Sequence, residues 1–219
     1  MIRLRAIGLA AATLASSLLL MSCGGNSDLV DNSSCPATAG DASWYPQVGT
    51  NDDNNIVGER IPQMPHTHVN EGTKVTYNHT PPTSGCHYSI PGKAPIQPGV
   101  YTQTVNSEYW VHNLEHGYIV VLYDCGAEGA RGCPTDFATL RTWYGNQTVD
   151  PALLQCQQSG QIQTAPYTKV LLLPFSGLGH KFAVVSWTYF LPLDHLDTSQ
   201  LDKFYANHVG HSPESLCSP

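Results

Sequence analysis

The chain has 219 residues, 12% of them charged, with 10 Lys and Arg against 17 Asp and Glu and a formal net charge of −7. So few charges, net acidic and without a basic block, exclude a nucleic-acid-binding protein, which needs concentrated positive charge to displace counterions. Hydrophobic residues at 41%, with four Trp, suffice for a packed core and exclude a disordered chain.

Arg3 and Arg5 precede an uncharged apolar run from Ile7 to Met21, too short and too rich in Ala and Ser for a membrane span. The run ends in Leu20-Met21-Ser22-Cys23-Gly24-Gly25, which resembles a bacterial lipobox, where a small residue precedes the Cys that is lipidated. Residues 1–22 are therefore expected to be a lipoprotein signal peptide, with Cys23 as the lipidation site. The expected location is outside the cytoplasm, anchored to a bacterial membrane (the outer membrane or cell surface), and the membrane is the expected partner. Residues 23–43 are small and polar and read as a flexible tether. Residues 44–219 read as one His-rich domain.

Beyond Cys23 the sequence holds Cys35, Cys86, Cys125, Cys133, Cys156 and Cys217. An even set in an exported chain predicts three disulfides, each stabilising by about 2–4 kcal/mol. Cys125 and Cys133 bracket a Gly-rich loop and Cys156 follows one helix later, so a pair within that trio is expected; the remaining connectivity is open. No C-x-x-C pair is present, which argues against a thiolate metal site.

Residues 44–100 are rich in Pro, Gly, Asn and Thr and predict loops with short strands such as Lys74–Tyr77. His66-Thr67-His68 is an H-x-H, whose rings share one side of an extended segment, an arrangement that suits Cu or Zn. In the stretch from Tyr77 to Tyr88, Pro81-Pro82 and Ser84-Gly85 make a rigid loop that positions His87 as a candidate ligand. His112-Asn113-Leu114-Glu115-His116 matches H-x-x-E-H. A short helix from Glu108, capped by Asn106 or Ser107 and ended by Gly117, aims both imidazoles the same way and keeps Glu115 near them. Tyr109, Trp110 and Val111 favour a strand instead, which also aligns the two His but turns Glu115 to the opposite face.

Gly117–Tyr123 reads as a buried strand and Pro134–Tyr144 as a helix with Phe137, Leu140, Trp143 and Tyr144 on its apolar face. Lys169–Leu173 and Phe182–Phe190 read as strands, and Ser199–His208 as a second helix. Helices and strands do not alternate regularly. The expected class is α+β: a single compact domain with a mostly antiparallel sheet, two or three helices and long Pro/Gly-rich loops, stapled by disulfides.

The string from Val75 to Tyr88, then Gly99-Val100-Tyr101, then Val111 to Gly117 followed by an apolar strand, resembles a bacterial exported-domain family, domain of unknown function 3105. The resemblance covers roughly residues 65–210. It includes a His-Val before the first strand, matched by His68-Val69. By that resemblance the site histidines are His68, His87, His112 and His116, while His66 and His79 match no family position. Family members often carry Pro where this chain has Cys86, which implies that one disulfide is particular to this chain. The family brings no established activity.

The first functional reading is a metal-binding protein holding copper or zinc on His68, His87, His112 and His116. Met64 is the one Met beyond the signal segment, which disfavours a Cu(I) thioether carrier. Glu115 is assigned either to orienting a ligand His through its free ring N–H or to general base in a metal-dependent hydrolase; a copper oxidoreductase belongs to the same alternative. The third reading is a metal-free cell-surface module whose aromatic residues Trp44, Tyr45, Trp110 and Trp143 contact a glycan or protein.

Overall fold

The computed structural model describes Cys35 and residues 56–161, 167–211, 213, 214 and 217. The expected signal segment and tether lie outside these residues apart from Cys35, so Cys23 has no structural account. In chain order the elements are β1 (Glu59–Arg60), β2 (His68–Val69), β3 (His87–Tyr88), β4 (Gly99–Val100), α1 (Ser107–Glu115), β5 (Ile119–Tyr123), α2 (Pro134–Gly145), α3 (Pro151–Gln158), β6 (Val170–Pro174), β7 (Phe182–Ser186), β8 (Tyr189–Leu193) and α4 (Thr198–His208).

Six strands form one sheet in the order β1-β8-β7-β5-β6-β4. The β1–β8, β8–β7 and β7–β5 pairs are antiparallel; β5–β6 and β6–β4 are parallel. Every residue of β5, β6 and β7 is buried because both faces of the sheet are covered. That is why these strands read as unbroken apolar runs rather than alternating ones. On one face Val121, Leu172, Val184 and Leu191 pack against Leu140 and Trp143 of α2 and Leu201 and Phe204 of α4. On the other, Val120, Leu171, Ala183 and Val185 pack against Trp110, Val111 and Leu114 of α1. Each fully buried Val or Leu side chain among these stabilises the fold by about 1.5–3 kcal/mol. The class is α+β as expected, in a single compact domain.

Three details depart from the sequence reading. Lys74–Tyr77 is irregular: the Val75 amide donates to the Glu108 carboxylate of α1 (3.2 Å) and not to a strand neighbour. The run Phe182–Phe190 is not one strand but a hairpin, β7 and β8, turning at Trp187-Thr188. Thr188 adopts φ 64°, and its amide is held by the Thr83 carbonyl at 2.9 Å. No Gly or Asn marks that turn, so a run of strand-forming residues conceals it. Helix α3 is additional, which brings the α-helices among the described residues to four.

Three disulfides join Cys35–Cys86, Cys125–Cys133 and Cys156–Cys217. The pair within the expected trio is Cys125–Cys133, and Cys156 reaches the C-terminal segment. Among the described residues no helix is long and apolar enough to cross a membrane.

Candidate metal centre

Ser107–Glu115 is helical with His116 as its C-cap, which resolves the two alternatives for H-x-x-E-H. Sheet burial decides against local strand propensity: Trp110 and Val111, with Leu114 one helical turn further on, all reach the sheet. Asn106 stands at the N-cap position but its side chain makes no capping hydrogen bond. The C-terminus is closed by a Schellman arrangement, with the Gly117 amide on the Leu114 carbonyl (2.9 Å) and the Tyr118 amide on the Asn113 carbonyl (3.0 Å). Gly117 has φ +80°, and a Cβ there would lie 2.8 Å from the Gly210 Cα, so only glycine fits. Fully buried Lys169 adds a charge-assisted bond, its Nζ donating to the His116 carbonyl at 2.6 Å. Burial pushes that ammonium's pKa down to about 8, yet it complements the negative end of α1.

Strands β2 and β3 run parallel with His68 opposite His87 and Val69 opposite Tyr88. Alternation then sends the two imidazoles to one face, while Val69 and Tyr88 bury themselves with Met64 and Cys86 on the other. The His87 loop lies over α1. Ring centroids are 5.1 Å apart for His68–His87, 5.1 Å for His68–His112 and 4.7 Å for His87–His112. His116 extends the series, 4.7 Å from His112.

The ring nitrogens are sorted by their backbone partners. His87 Nδ1 donates to the Gly85 carbonyl and His112 Nδ1 to the Tyr88 carbonyl, both at 2.8 Å. Gly85 can present that carbonyl because it sits at φ +135°, where a Cβ would be 2.7 Å from the Tyr77 ring. With Nδ1 protonated, the neutral form of each ring carries its lone pair on Nε2. Glu115 Oε2 approaches His87 Nε2 to 2.8 Å, but neither atom is in hydrogen-bonding geometry with any partner, and His68 Nε2 is likewise buried and unpartnered. A buried polar atom left so costs about 1–3 kcal/mol. One ligand atom each from His68, His87, His112 and Glu115 lies within 4.8 Å of the others, a group that could hold a metal ion. A second such group is His112, His116 and Glu214. The expected four-histidine set is thus divided: His116 shares its group with Glu214 (Nε2 to Oε2, 3.1 Å), not with His68 and His87.

Burial, with the neighbouring His87 and His116, lowers the His112 pKa to about 3; burial and His87 also lower that of His68. Both rings are therefore neutral donors at physiological pH. Burial would raise the Glu115 pKa, but the hydrogen bond with His66 and the nearness of the His87 ring hold it well below the usual carboxylate range. The His66 contact was missed by sequence reasoning: its Nδ1 lies 2.5 Å from Glu115 Oε1, which raises the His66 pKa, and its ring stands edge-on to Trp187. The H-x-H pattern was the available signal for His66. For Glu214 no signal existed, since only the folded C-terminal segment brings it to His116. His79 bonds the Pro81 carbonyl, His180 pairs with Asp194 at the surface, and His208 bonds the Val57 carbonyl; none of these joins the cluster.

Residues 68–218 match the family described as Protein of unknown function (DUF3105), and the chain belongs to that family. The matched range contains all four expected histidines, Glu115 and Glu214, and leaves His66 outside. No curated protein and no solved structure matches the chain.

Proposed function

We propose that this member of the DUF3105 family is an exported, lipid-anchored protein that binds one divalent transition-metal ion, zinc or copper(II), through His68, His87, His112 and Glu115. One observation carries the reading. His87 Nδ1 is bound to the Gly85 carbonyl at 2.8 Å, so the neutral ring turns its Nε2 lone pair toward the Glu115 carboxylate at 2.8 Å. Two lone pairs meeting in a buried site repel each other unless a positive centre stands with them. A metal ion satisfies both at once, together with the buried His68 Nε2.

The backbone bonds to Nδ1 of His87 and His112 are the outer partners that orient metal-ligating imidazoles. They also take the ring N–H that Glu115 was expected to engage, which favours Glu115 as a ligand over an orienting group. Its burial against two imidazoles favours a ligand over a general base. Three imidazoles and a carboxylate suit Zn(II) or Cu(II). Soft sulfur ligation is not on offer among the described residues: six Cys are paired, and Met64 Sδ accepts from the Asn78 amide at 3.2 Å.

Three disulfides support an oxidising compartment. Export and the lipid on Cys23 rest on the sequence pattern; Cys23→Ala should move the protein out of the membrane fraction. The metal reading is tested by elemental analysis of oxidised, tag-free protein after incubation with Zn(II) or Cu(II) and gel filtration. One equivalent is expected in the wild type and none in His112→Asn. No retained metal at micromolar protein would overturn it.

A further inference from the structure

The second donor group shares a residue with the first. His112 Nδ1 is committed to the Tyr88 carbonyl, so His112 has one lone pair, on Nε2, for both groups. One lone pair holds one ion. The two groups are therefore alternative positions for a single ion and not the halves of a dinuclear centre.

They differ in depth and in number of donors. The inner group has three imidazoles and Glu115, whose side chain is fully buried. The outer group has His112, His116 and Glu214, and the Glu214 side chain is 38% exposed. His116 is buried, and neither of its ring nitrogens is in hydrogen-bonding geometry with a partner. Glu214 is also near enough to His66 and His68 to act on both electrostatically, which sets it over the rim of the cluster. The C-terminal segment is held there by the Gly210 amide on the Gly117 carbonyl (2.8 Å) and by the Cys156–Cys217 disulfide.

We propose that His116 and Glu214 form an outer docking position for the incoming divalent ion, from which it passes to the inner site while His112 stays bound. Resting on the metal-binding reading above, this adds a route. A hydrated ion exchanges waters for Glu214 and His116 at the rim and gains His112. It then exchanges Glu214, His116 and one remaining water for His68, His87 and Glu115. Each step swaps one ligand for another, with no change of oxidation state. The outer position is vacated as the inner one fills, so the resident ion does not keep Glu214.

Such a relay has a kinetic signature. A group on the path, but absent from the final complex, speeds loading and release equally. Glu214→Gln should slow both by roughly tenfold, corresponding to about 1.4 kcal/mol in the barrier, with their ratio, the Kd, holding. His116→Asn should do the same, and Glu214→Asp should restore much of the rate.

The experiment is stopped-flow loading of the full folded body with Co(II), read by visible absorption. Release into EDTA is followed at several chelator concentrations and extrapolated to zero. Equal slowing of both rates with an unchanged final spectrum is the expected result. Unchanged rates in both variants would overturn the relay and leave the inner site standing. Faster release with weaker Kd and an altered spectrum would make Glu214 a resident ligand and also overturn it. Slower loading alone, with Kd weakened in proportion, would reduce Glu214 to electrostatic steering. Absence of Co(II) binding by the wild type would remove the metal reading itself and the relay with it.

Discussion

Replacing His112 with Asn separates the metal from the fold. His112 contributes two things: an Nδ1–H on the Tyr88 carbonyl at 2.8 Å, and the Nε2 lone pair common to both donor groups. Asn places an amide N–H near the position of Nδ1 and nothing at Nε2. It therefore retains the bond to Tyr88, worth about 0.5–1.5 kcal/mol, and deletes the ligand. At free metal 100 times Kd, binding stabilises the wild type by about 2.7 kcal/mol. A domain of this size shifts its Tm by about 2–4 °C per kcal/mol, so the wild type should gain about 5–11 °C. Differential scanning calorimetry of tag-free protein, with and without Zn(II), measures this directly. The Asn variant should melt within a few degrees of the metal-free wild type and gain nothing from Zn(II). His180→Ala, on the surface pair with Asp194, should gain as much as the wild type. An equal gain in His112→Asn and wild type would refute the assignment of Nε2.

Acid should weaken the metal-free fold through His208, whose pKa burial lowers to about 4 from an ordinary 6.5. The unfolded chain takes up that proton first as pH falls. The stability is thus whole above about pH 6.5 and is lost progressively toward pH 4, on the order of 3 kcal/mol in all. His208→Gln keeps a donor for the Val57 carbonyl and should flatten this part of the urea-midpoint profile; an unchanged slope would count against it. Gly117→Ala forces an L-residue to φ +80° and sets its Cβ 2.8 Å from the Gly210 Cα. It should cost at least about 1–2 kcal/mol from the backbone alone, seen as a lower urea midpoint; a neutral result would mean that the C-terminal segment moves aside freely.

Much of the fold was legible because both faces of the sheet are covered. Ile119–Tyr123 and Val170–Pro174 can read only as buried strands, and Pro134 and Gly145 bracket α2. The spacing of His112 and His116 announced a shared direction, but the choice between helix and strand lay in what Trp110, Val111 and Leu114 pack against. That is a tertiary fact, and it decides whether Glu115 points in or out. The parallel pairing of His68 with His87 joins residues 19 apart across a loop whose local sequence says only that it is rigid. His66 and Glu214 reach the cluster through contacts of long sequence separation, and nothing around either residue hints at the other side of the pair. The turn at Thr188 was hidden for the opposite reason: every residue around it prefers a strand, and the exception is enforced by the Thr83 carbonyl.

The Cys35–Cys86 disulfide has a geometric consequence. It fastens the chain to the residue next to His87, so the leash from a lipid on Cys23 ends at Cys35. The dozen or so residues between Cys23 and Cys35 span at most about 40 Å when fully extended. Under the proposed anchoring, the mouth of the histidine cluster is confined to a thin shell above the bilayer. Any donor or acceptor of the proposed ion must come within that shell, and any pull on the anchor is delivered one residue from His87.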